Sequence, residues 1–303
     1  FHGKTVISYS AMKEKYEGQD PIVLLSFASS LPEVMELFKR VGDECELYAP
    51  DVPVFGETLF TIEFFEENRK RFEEIYNILA DEESKRIYKN VICYKLTGDI
   101  KYLWESESNK RDVYENLLDC KNIHSYLDLG AYNGDTVREM LFYNPALKKA
   151  IALEPDARNF RKLTEYASGA EIDLKCINAG AWCDNTTLLF DASGNRNAGI
   201  VSRGNIVSKI KEVPVLTVDS VLEGESVDYI KYDVEGSERA ALLGSAKTIK
   251  KYTPKLLVSL YHRSEDMFVL PELVKEINPN YSLYLRRFPY IPAWDLNLYA
   301  IKK

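Results

Sequence analysis

Residues 125–139, SYLDLGAYNGDTVRE, decide the fold because they predict a buried strand that runs through a glycine turn into a helix. The apolar residues before Gly130 are typical of a strand that is buried on both faces. Gly130 and Gly134 permit a tight turn, and a helix is expected from Thr136 onward. Such a turn directs backbone N–H groups and the positive end of a helix toward a ligand.

The charges on this turn favour a cationic ligand over a phosphate. Asp128 and Asp135 would repel a phosphate but attract the sulfonium of S-adenosylmethionine. A dinucleotide fingerprint has the pattern G-x-G-x-x-G, whereas Tyr132 replaces its middle glycine in this chain. An NAD site is therefore disfavoured, and a plain strand-to-helix turn without a ligand stays open as an alternative.

The next predicted strand, residues 150–154, ends in an acid and is followed by Pro155 and Asp156. Glu154 is expected at the carboxyl end of a neighbouring strand, where an acid can accept hydrogen bonds from both hydroxyls of a ribose. The alternative is an exposed glutamate ahead of a helix that Asp156 caps. After the third strand, the small residues Ala179, Gly180 and Ala181 suit the flat face of an adenine, while Trp182 fits a core position equally well.

The segment 227–238, VDYIKYDVEGSE, predicts a buried strand that ends in two acids. On an extended segment Asp233 and Glu235 would project to the same side, at the edge where open α/β sheets place ligands. They could orient a hydroxyl, act as a base or bind a hard cation such as Mg²⁺. Capping of the following helix is the structural alternative.

His262 ends another apolar strand, residues 256–261, one strand away from Asp233 in the expected sheet. A histidine in that position is a candidate general base, although a lone histidine is more often structural. We therefore predict Asp233, Glu235 and His262 as the catalytic candidates.

Composition excludes several classes of protein. A net charge of −8 argues against a nucleic-acid partner, because phosphate binding needs a basic surface. The five cysteines have neither zinc-finger nor redox spacing, which predicts a reduced, cytoplasmic protein. No apolar run approaches membrane-span length, no signal peptide is visible, and a start at Phe1 predicts a piece of a longer product.

Three regions differ in pattern, and together they predict an α/β protein. Residues 1–55 read as strands at 6–8 and 22–28 with intervening helices, a partial Rossmann-like unit. Residues 56–120 read as helices, acting as a packed connector or as a lid or dimerisation arm. Residues 121–303 return to alternating strands and helices, with one helix over 238–251. Residues 188–190 and 213–218 read as strands, and the segment 193–205 between them as a hairpin-like insertion or a mobile loop over the site.

The motifs LDLGAYNGDT, ALEPD, NAGAW, VDYIKYDVEGSE and LLVSLYHRSEDM, in this order, resemble the FkbM-type family of S-adenosylmethionine-dependent methyltransferases. The resemblance covers residues 120–303, and IKYDVEGSE is its most specific part. It implies a class I methyltransferase, Rossmann-like sheet of seven strands whose last strand is antiparallel, and O-methylation of sugar or polyketide hydroxyls. It also implies that Glu154 holds the ribose and that Asp233 lies near the methyl group.

The predicted cofactor site combines residues matched by the resemblance with their neighbours in the same turns. These residues are Asp128, Gly130, Ala131, Tyr132, Asn133, Gly134, Asp135, Thr136, Glu154, Pro155, Asp156, Ala179, Gly180 and Ala181. The predicted partner is a small molecule or a saccharide, with a homodimer as a further expectation. The rival functions are a cofactor-binding sensor or scaffold without catalysis and an NAD-dependent enzyme.

Overall fold

The computed structural model describes residue 3 and residues 5–56, 58–191 and 210–302. The chain begins with α1 (Tyr9–Lys15), β1 (Ile22–Leu24), α2 (Pro32–Glu44) and β2 (Glu46–Tyr48), and β1 pairs with β2 in parallel. The strand predicted at residues 6–8 is wrong. Ser8 instead caps α1 by accepting a hydrogen bond from the backbone N–H of Ala11, and Val6 is 74% exposed. The short apolar run predicted a strand, but no described strand pairs with these residues.

Residues 62–122 are mostly helical, as predicted. The segment contains α3 (Ile62–Ile78), α4 (Glu82–Thr97), α5 (Lys101–Trp104) and α6 (Lys110–Asp112), then a π-helical turn (Val113–Leu117) and a 3₁₀ turn (Cys120–Asn122). Thr61 and Asp81 cap α3 and α4 through their side chains, and α4 ends at Gly98 in the left-handed conformation. Among the described helices, none combines the length and apolar character that a membrane span requires.

Strands and helices then alternate to the end of the chain. The first half comprises β3 (Ser125–Leu129), α7 (Asp135–Tyr143), β4 (Lys149–Leu153), α8 (Ala157–Ala167), β5 (Asp173–Ile177), β6 (Gly180–Ala181), β7 (Thr186–Asp191) and β8 (Ile210–Leu216). The second half comprises α9 (Val218–Leu222), β9 (Tyr229–Tyr232), α10 (Glu238–Leu243), α11 (Ala246–Tyr252), β10 (Lys255–Ser259), α12 (Asp266–Ile277), β11 (Tyr281–Arg287) and β12 (Leu296–Lys302).

The central sheet has seven strands in the order β11-β12-β10-β9-β3-β4-β5. β12 is inserted between β10 and β11 and is antiparallel to both, whereas the pairs from β10 to β5 are parallel. This arrangement confirms the predicted sheet with its antiparallel last strand. The carboxyl ends of β3, β4, β9 and β10 meet at one edge, where parallel α/β sheets place their ligands.

A smaller sheet, in the order β6-β8-β7, follows β5 along the chain. β7 and β8 are antiparallel, as their sequences suggested. The mobile loop predicted at residues 193–205 falls outside the described residues.

The single helix predicted over 238–251 is wrong, because it is divided into α10 and α11 at Gly244 and Ser245. The carbonyl of Gly244 accepts a hydrogen bond from the backbone N–H of Asp219. The side chain of Asp219 accepts in turn from the N–H groups of Lys247 and Thr248, so it caps α11. A Cβ at position 244 would also collide with the backbone of Trp182. These contacts end one helix and begin the next.

The amino-terminal elements pack on the rest of the protein. One buried apolar cluster includes Phe38 of α2, Phe72 of α3 and Leu129 of β3. The backbones of Ser29 and Ile291 exchange hydrogen bonds of 2.9 and 3.0 Å, which joins the segment after β1 to the loop between β11 and β12. The division into domains at residues 1–55, 56–120 and 121–303 stays a prediction.

A buried ion pair also fastens the amino-terminal segment to α4. Lys95 Nζ lies 3.0 Å from Asp51 Oδ2, and both side chains are 4% exposed. We expect Lys95→Met to lower the free energy of unfolding by about 3–5 kcal/mol, because it leaves the Asp51 carboxylate buried without a partner. Chemical denaturation measures this change.

The matched control is Arg111→Met, which removes an exposed ion pair between Arg111 and Glu115. No measurable loss of stability is expected there. Equal effects of the two substitutions would show that the Lys95–Asp51 pair does not fasten the segment.

Candidate functional site

The site begins at the bend between β3 and α7. Gly130 has a φ of 82°, and a Cβ at this position would collide with the carbonyl oxygen of Asp233 at the end of β9. Tyr132 is a non-glycine residue in the left-handed region, with a φ of 47°. The bend thus packs directly on the end of β9, and it requires glycine at position 130.

Glu154, at the end of β4, is hydrogen-bonded to the backbone of this bend. Its Oε2 accepts from the N–H of Tyr132 at 2.8 Å, and its Oε1 accepts from the N–H of Asp156 at 2.9 Å. Burial raises the pKa of Glu154 to about 7, although these two N–H donors favour the ionised form. Each carboxylate oxygen keeps a lone pair for a further donor.

A buried lysine connects the two acids that flank the bend. Lys231 Nζ lies 3.4 Å from Asp128 Oδ1 and 3.4 Å from Asp233 Oδ2. Asp128 is fully buried and also accepts a hydrogen bond from Thr136. Burial opposes ionisation of Lys231, but the nearby carboxylates outweigh it and raise the pKa of Lys231 above its usual value.

Asp233 is held in its ionised form. Burial acts against its charge, but Lys231, His262 and a hydrogen bond from Tyr261 at 2.9 Å keep the pKa of Asp233 below its usual value. Glu235 behaves in the opposite way, since burial raises its pKa and His262 offsets this only in part. Two acids at one edge therefore differ in basicity.

His262 is fully buried behind these acids. Its Nε2 lies 3.4 Å from Glu235 Oε2 and 3.7 Å from Asp233 Oδ1, and its Nδ1 lies 3.0 Å from Glu238 Oε1. Burial lowers the pKa of His262, but Glu238 and Glu235 outweigh it and raise the value well above the ordinary one. The carboxylates around the ring thus favour its protonated form, in which neither nitrogen has a lone pair to accept a proton.

The segment that carries Glu235 is a turn and not the extended chain that the sequence suggested. Glu235 has a φ of 51° and Gly236 a φ of 84°. The expectation of parallel side chains on an extended segment is therefore wrong, although both carboxylates lie within reach of His262 Nε2. Glu238 fixes the turn by accepting from the N–H of Val234 at 2.9 Å.

A cavity of about 350 Å³ opens at this edge of the sheet. Eleven of the predicted site residues line it: Gly130, Tyr132, Asp135, Thr136, Glu154, Pro155, Ala179, Gly180, Ala181, Asp233 and Glu235. The structure thus brings the bend, the strand-end glutamate and two of the predicted catalytic residues to one space. Its volume falls within the range of small-molecule sites.

Six of the predicted residues do not line the cavity: Asp128, Ala131, Asn133, Gly134, Asp156 and His262. Asp156 caps α8 by accepting from the N–H groups of Arg158 and Asn159, which was the alternative interpretation of this residue. The side chain of Asn133 accepts from Arg138 at 2.7 Å.

Sequence reasoning missed many of the other residues that line the cavity. They include Ser30, Val54, Lys110, Tyr114, Glu139, Asn159, Phe288, Tyr290, Trp294, Asp295 and Tyr299. Most come from segments remote in the chain, and no local pattern marks them. Lys231 carried a usable signal, because a lysine inside the apolar strand YIKY requires buried anionic partners.

Residues 128–288 match the model of the methyltransferase FkbM domain. A crystal structure of methyltransferase FkbM from Methylobacillus flagellatus KT is 21% identical, covers 99% of this chain and 79% of that chain, and has a TM-score of 0.75. This likeness shows a common fold. No curated protein sequence matches the chain.

Weaker likenesses to other methyltransferases carry no argument. Precorrin-6y C5,15-methyltransferase from Geobacter metallireducens GS-15 is 10% identical, covers 65% of this chain and 93% of that chain, and has a TM-score of 0.40. Aeropyrum pernix fibrillarin with natively bound S-adenosyl-L-methionine is 14% identical, covers 60% and 68%, and has a TM-score of 0.37. The family model spans more than half of the sequence, so the chain belongs to the methyltransferase FkbM family.

Proposed function

We propose that the protein transfers a methyl group from S-adenosylmethionine to a hydroxyl of a sugar or another glycan-related compound. One observation carries the proposal: the bend, Glu154, Asp233 and Glu235 all line one cavity at the carboxyl edge of the sheet. The family supports methyl transfer and use of S-adenosylmethionine. The hydroxyl and the sugar are our inference.

The residues of the cavity fit the parts of this cofactor. Glu154 would accept hydrogen bonds from the ribose hydroxyls through the lone pairs that its two backbone donors leave free. Asp135 and the bend would hold the amino-acid part, and the small residues Ala179 and Ala181 would pack against the adenine. The acids near the sulfonium would strengthen binding more than they accelerate the reaction, because this charge disappears in the transition state.

S-adenosylmethionine supplies an activated methyl group, so the protein has to align the acceptor and remove its hydroxyl proton. Glu235 is the better candidate base, because its pKa is raised while that of Asp233 is lowered. We assign Asp233 to orienting the acceptor and His262 to positioning both acids. His262 is a positioning residue in this scheme, since it does not line the cavity.

Mg²⁺ is not part of the proposal. The oxygen and nitrogen atoms of Asp233, Glu238 and His262 lie within 4.8 Å of one another, a spacing that could suit a metal ion. The carboxylates beside His262 favour its protonated form, and a protonated ring offers no lone pair to a metal. Cytoplasmic location and a homodimer stay predictions.

The first test is calorimetric titration with S-adenosylhomocysteine at several pH values. We expect binding above pH 7 and an affinity about tenfold weaker at pH 6, because protonation of Glu154 removes an acceptor for the ribose hydroxyls. Glu154→Gln should bind more weakly and lose this pH dependence. The control is Glu165→Gln, which changes an exposed acid in α8, the helix that follows Glu154. This variant should bind as the wild type does.

Equal affinity of the wild type at pH 6 and pH 8 would contradict the role of Glu154. Binding of NADH in place of S-adenosylhomocysteine would favour the NAD-dependent alternative.

The second test measures transfer from tritiated S-adenosylmethionine to a mixture of methyl glycosides. We expect Glu235→Gln to lower the rate by about a hundredfold or more, since general-base catalysis contributes about 10²–10⁴-fold. Its affinity for S-adenosylhomocysteine should stay near that of the wild type. Full transfer by this variant would remove Glu235 from the mechanism. Binding without transfer by the wild type would favour the non-catalytic alternative.

A further inference from the structure

The cavity extends past the predicted cofactor residues to a wall that the sequence did not reveal. We call this part the loop end, and it is formed by Lys110, Glu139, Phe288, Tyr290, Trp294 and Asp295. Lys110 Nζ lies 2.7 Å from Glu139 Oε1 and 4.8 Å from the centre of the Phe288 ring. The rings of Tyr290 and Trp294 lie 5.4 Å apart. The loop end thus presents aromatic faces beside charged groups.

The loop between β11 and β12 is braced on both sides. Its Ile291 pairs with Ser29, as described above. Arg287, which is fully buried, donates hydrogen bonds to the carbonyl oxygens of Leu103 and Tyr290. The loop end is therefore formed before any ligand arrives, which limits the shape and charge of what it can accept.

Negative charge dominates the lining of the whole cavity. Six carboxylates line it: Asp135, Glu139, Glu154, Asp233, Glu235 and Asp295. Lys110 and Lys231 are the lining cations among the described residues, and no arginine joins them. Each lysine already has a carboxylate partner, Glu139 for Lys110 and Asp233 with Asp128 for Lys231. No described cation of the lining is left to bind an anionic ligand.

Asp295 brings this charge to the loop end. Its backbone has a φ of 60°, which is strained for a residue other than glycine, and its Oδ1 accepts a hydrogen bond from Asn297 at 2.7 Å. The bond fixes the carboxylate; burial raises the pKa of Asp295, while Lys110 and Asn297 favour its ionised form. Strain of this kind at a cavity wall is typical of functional positions.

We infer that the part of the acceptor that enters the cavity carries no negative charge. This inference rests on the proposed function. The acceptor is an uncharged or amine-bearing hydroxyl compound whose ring packs against Tyr290 and Trp294. With Asp128 and Glu238, which pair with Lys231 and His262 outside the lining, eight carboxylates face three protein cations (Lys110, Lys231 and His262) and the sulfonium of the cofactor. An acceptor phosphate or carboxylate would therefore still meet a negative wall.

The negative charge of the cavity narrows the class of possible acceptors. An acidic sugar or a sugar phosphate is excluded from the cavity. A nucleotide-linked saccharide fits only with its diphosphate outside, where solvent screens the repulsion. A neutral sugar or an amino sugar meets no such barrier.

Charge-matched thiol reagents measure this property without knowledge of the acceptor. Ser30 lines the cavity next to Ser29, which pairs with the braced loop, and Ser30→Cys is a conservative change. The variant is treated at pH 8 with a sulfonate-bearing and with a trimethylammonium-bearing methanethiosulfonate. Peptide mass spectrometry gives the rate at position 30 separately from the five native cysteines.

The control is Ser168→Cys, an exposed position at the end of α8. We expect the ratio of cationic to anionic labelling rates at position 30 to be about tenfold higher than at position 168, which corresponds to ~1.4 kcal/mol. Asp295→Asn in the Ser30→Cys background should lower the ratio. A ratio at position 30 no higher than at position 168 would overturn the inference. An unchanged ratio after Asp295→Asn would overturn the role of Asp295.

Titration of Ser30→Cys with S-adenosylhomocysteine separates this inference from the proposed function. Loss of binding in this variant and in the wild type would refute the proposed function itself. Normal binding with an ordinary labelling ratio would refute only the exclusion of anionic acceptors.

Discussion

The contact between the backbones of Gly130 and Asp233 is the constraint on which the rest of the site depends. Because position 130 has no Cβ, the bend after β3 lies directly against the end of β9. Lys231 lies on β9, two residues before Asp233, and its Nζ is 3.4 Å from a carboxylate oxygen of Asp128 and 3.4 Å from one of Asp233. A larger residue at position 130 would push the bend away from the segment that carries Asp233 and Glu235, and both line the cavity.

Burial and charge pairing give different pKa values to carboxyl groups of similar chemistry. Burial raises the pKa of Glu154 and of Glu235, whereas two cations and a tyrosine hydroxyl outweigh burial at Asp233. The site therefore holds one acid that stays ionised beside another that can take a proton. Lys231 and Tyr261 cause this difference, because they favour the ionised form of Asp233, whereas His262 favours the ionised form of both acids.

The sequence was sufficient to predict where a side chain lies when that position depends on adjacent residues of the chain. The bend, the strand-end Glu154 and the acids after β9 were predicted because strand, turn and helix follow one another locally. The sequence was insufficient where contacts between remote segments determine strand pairing, helix boundaries or burial. Val6 is exposed and pairs with no described strand. Asp219, which belongs to α9, caps α11 and so helps to divide the helix predicted over 238–251. His262 is buried among carboxylates that are remote from it in the sequence. The loop end could not be foreseen, because Ser29 and Ile291 meet only in the folded chain.

The most direct test of the central claim is a crystal structure with bound S-adenosylhomocysteine. The account predicts that both ribose hydroxyls lie within hydrogen-bond distance of Glu154 and that the sulfur faces Asp233 across the Gly130 bend. A nucleoside bound elsewhere, or a ribose with no contact to Glu154, would contradict it.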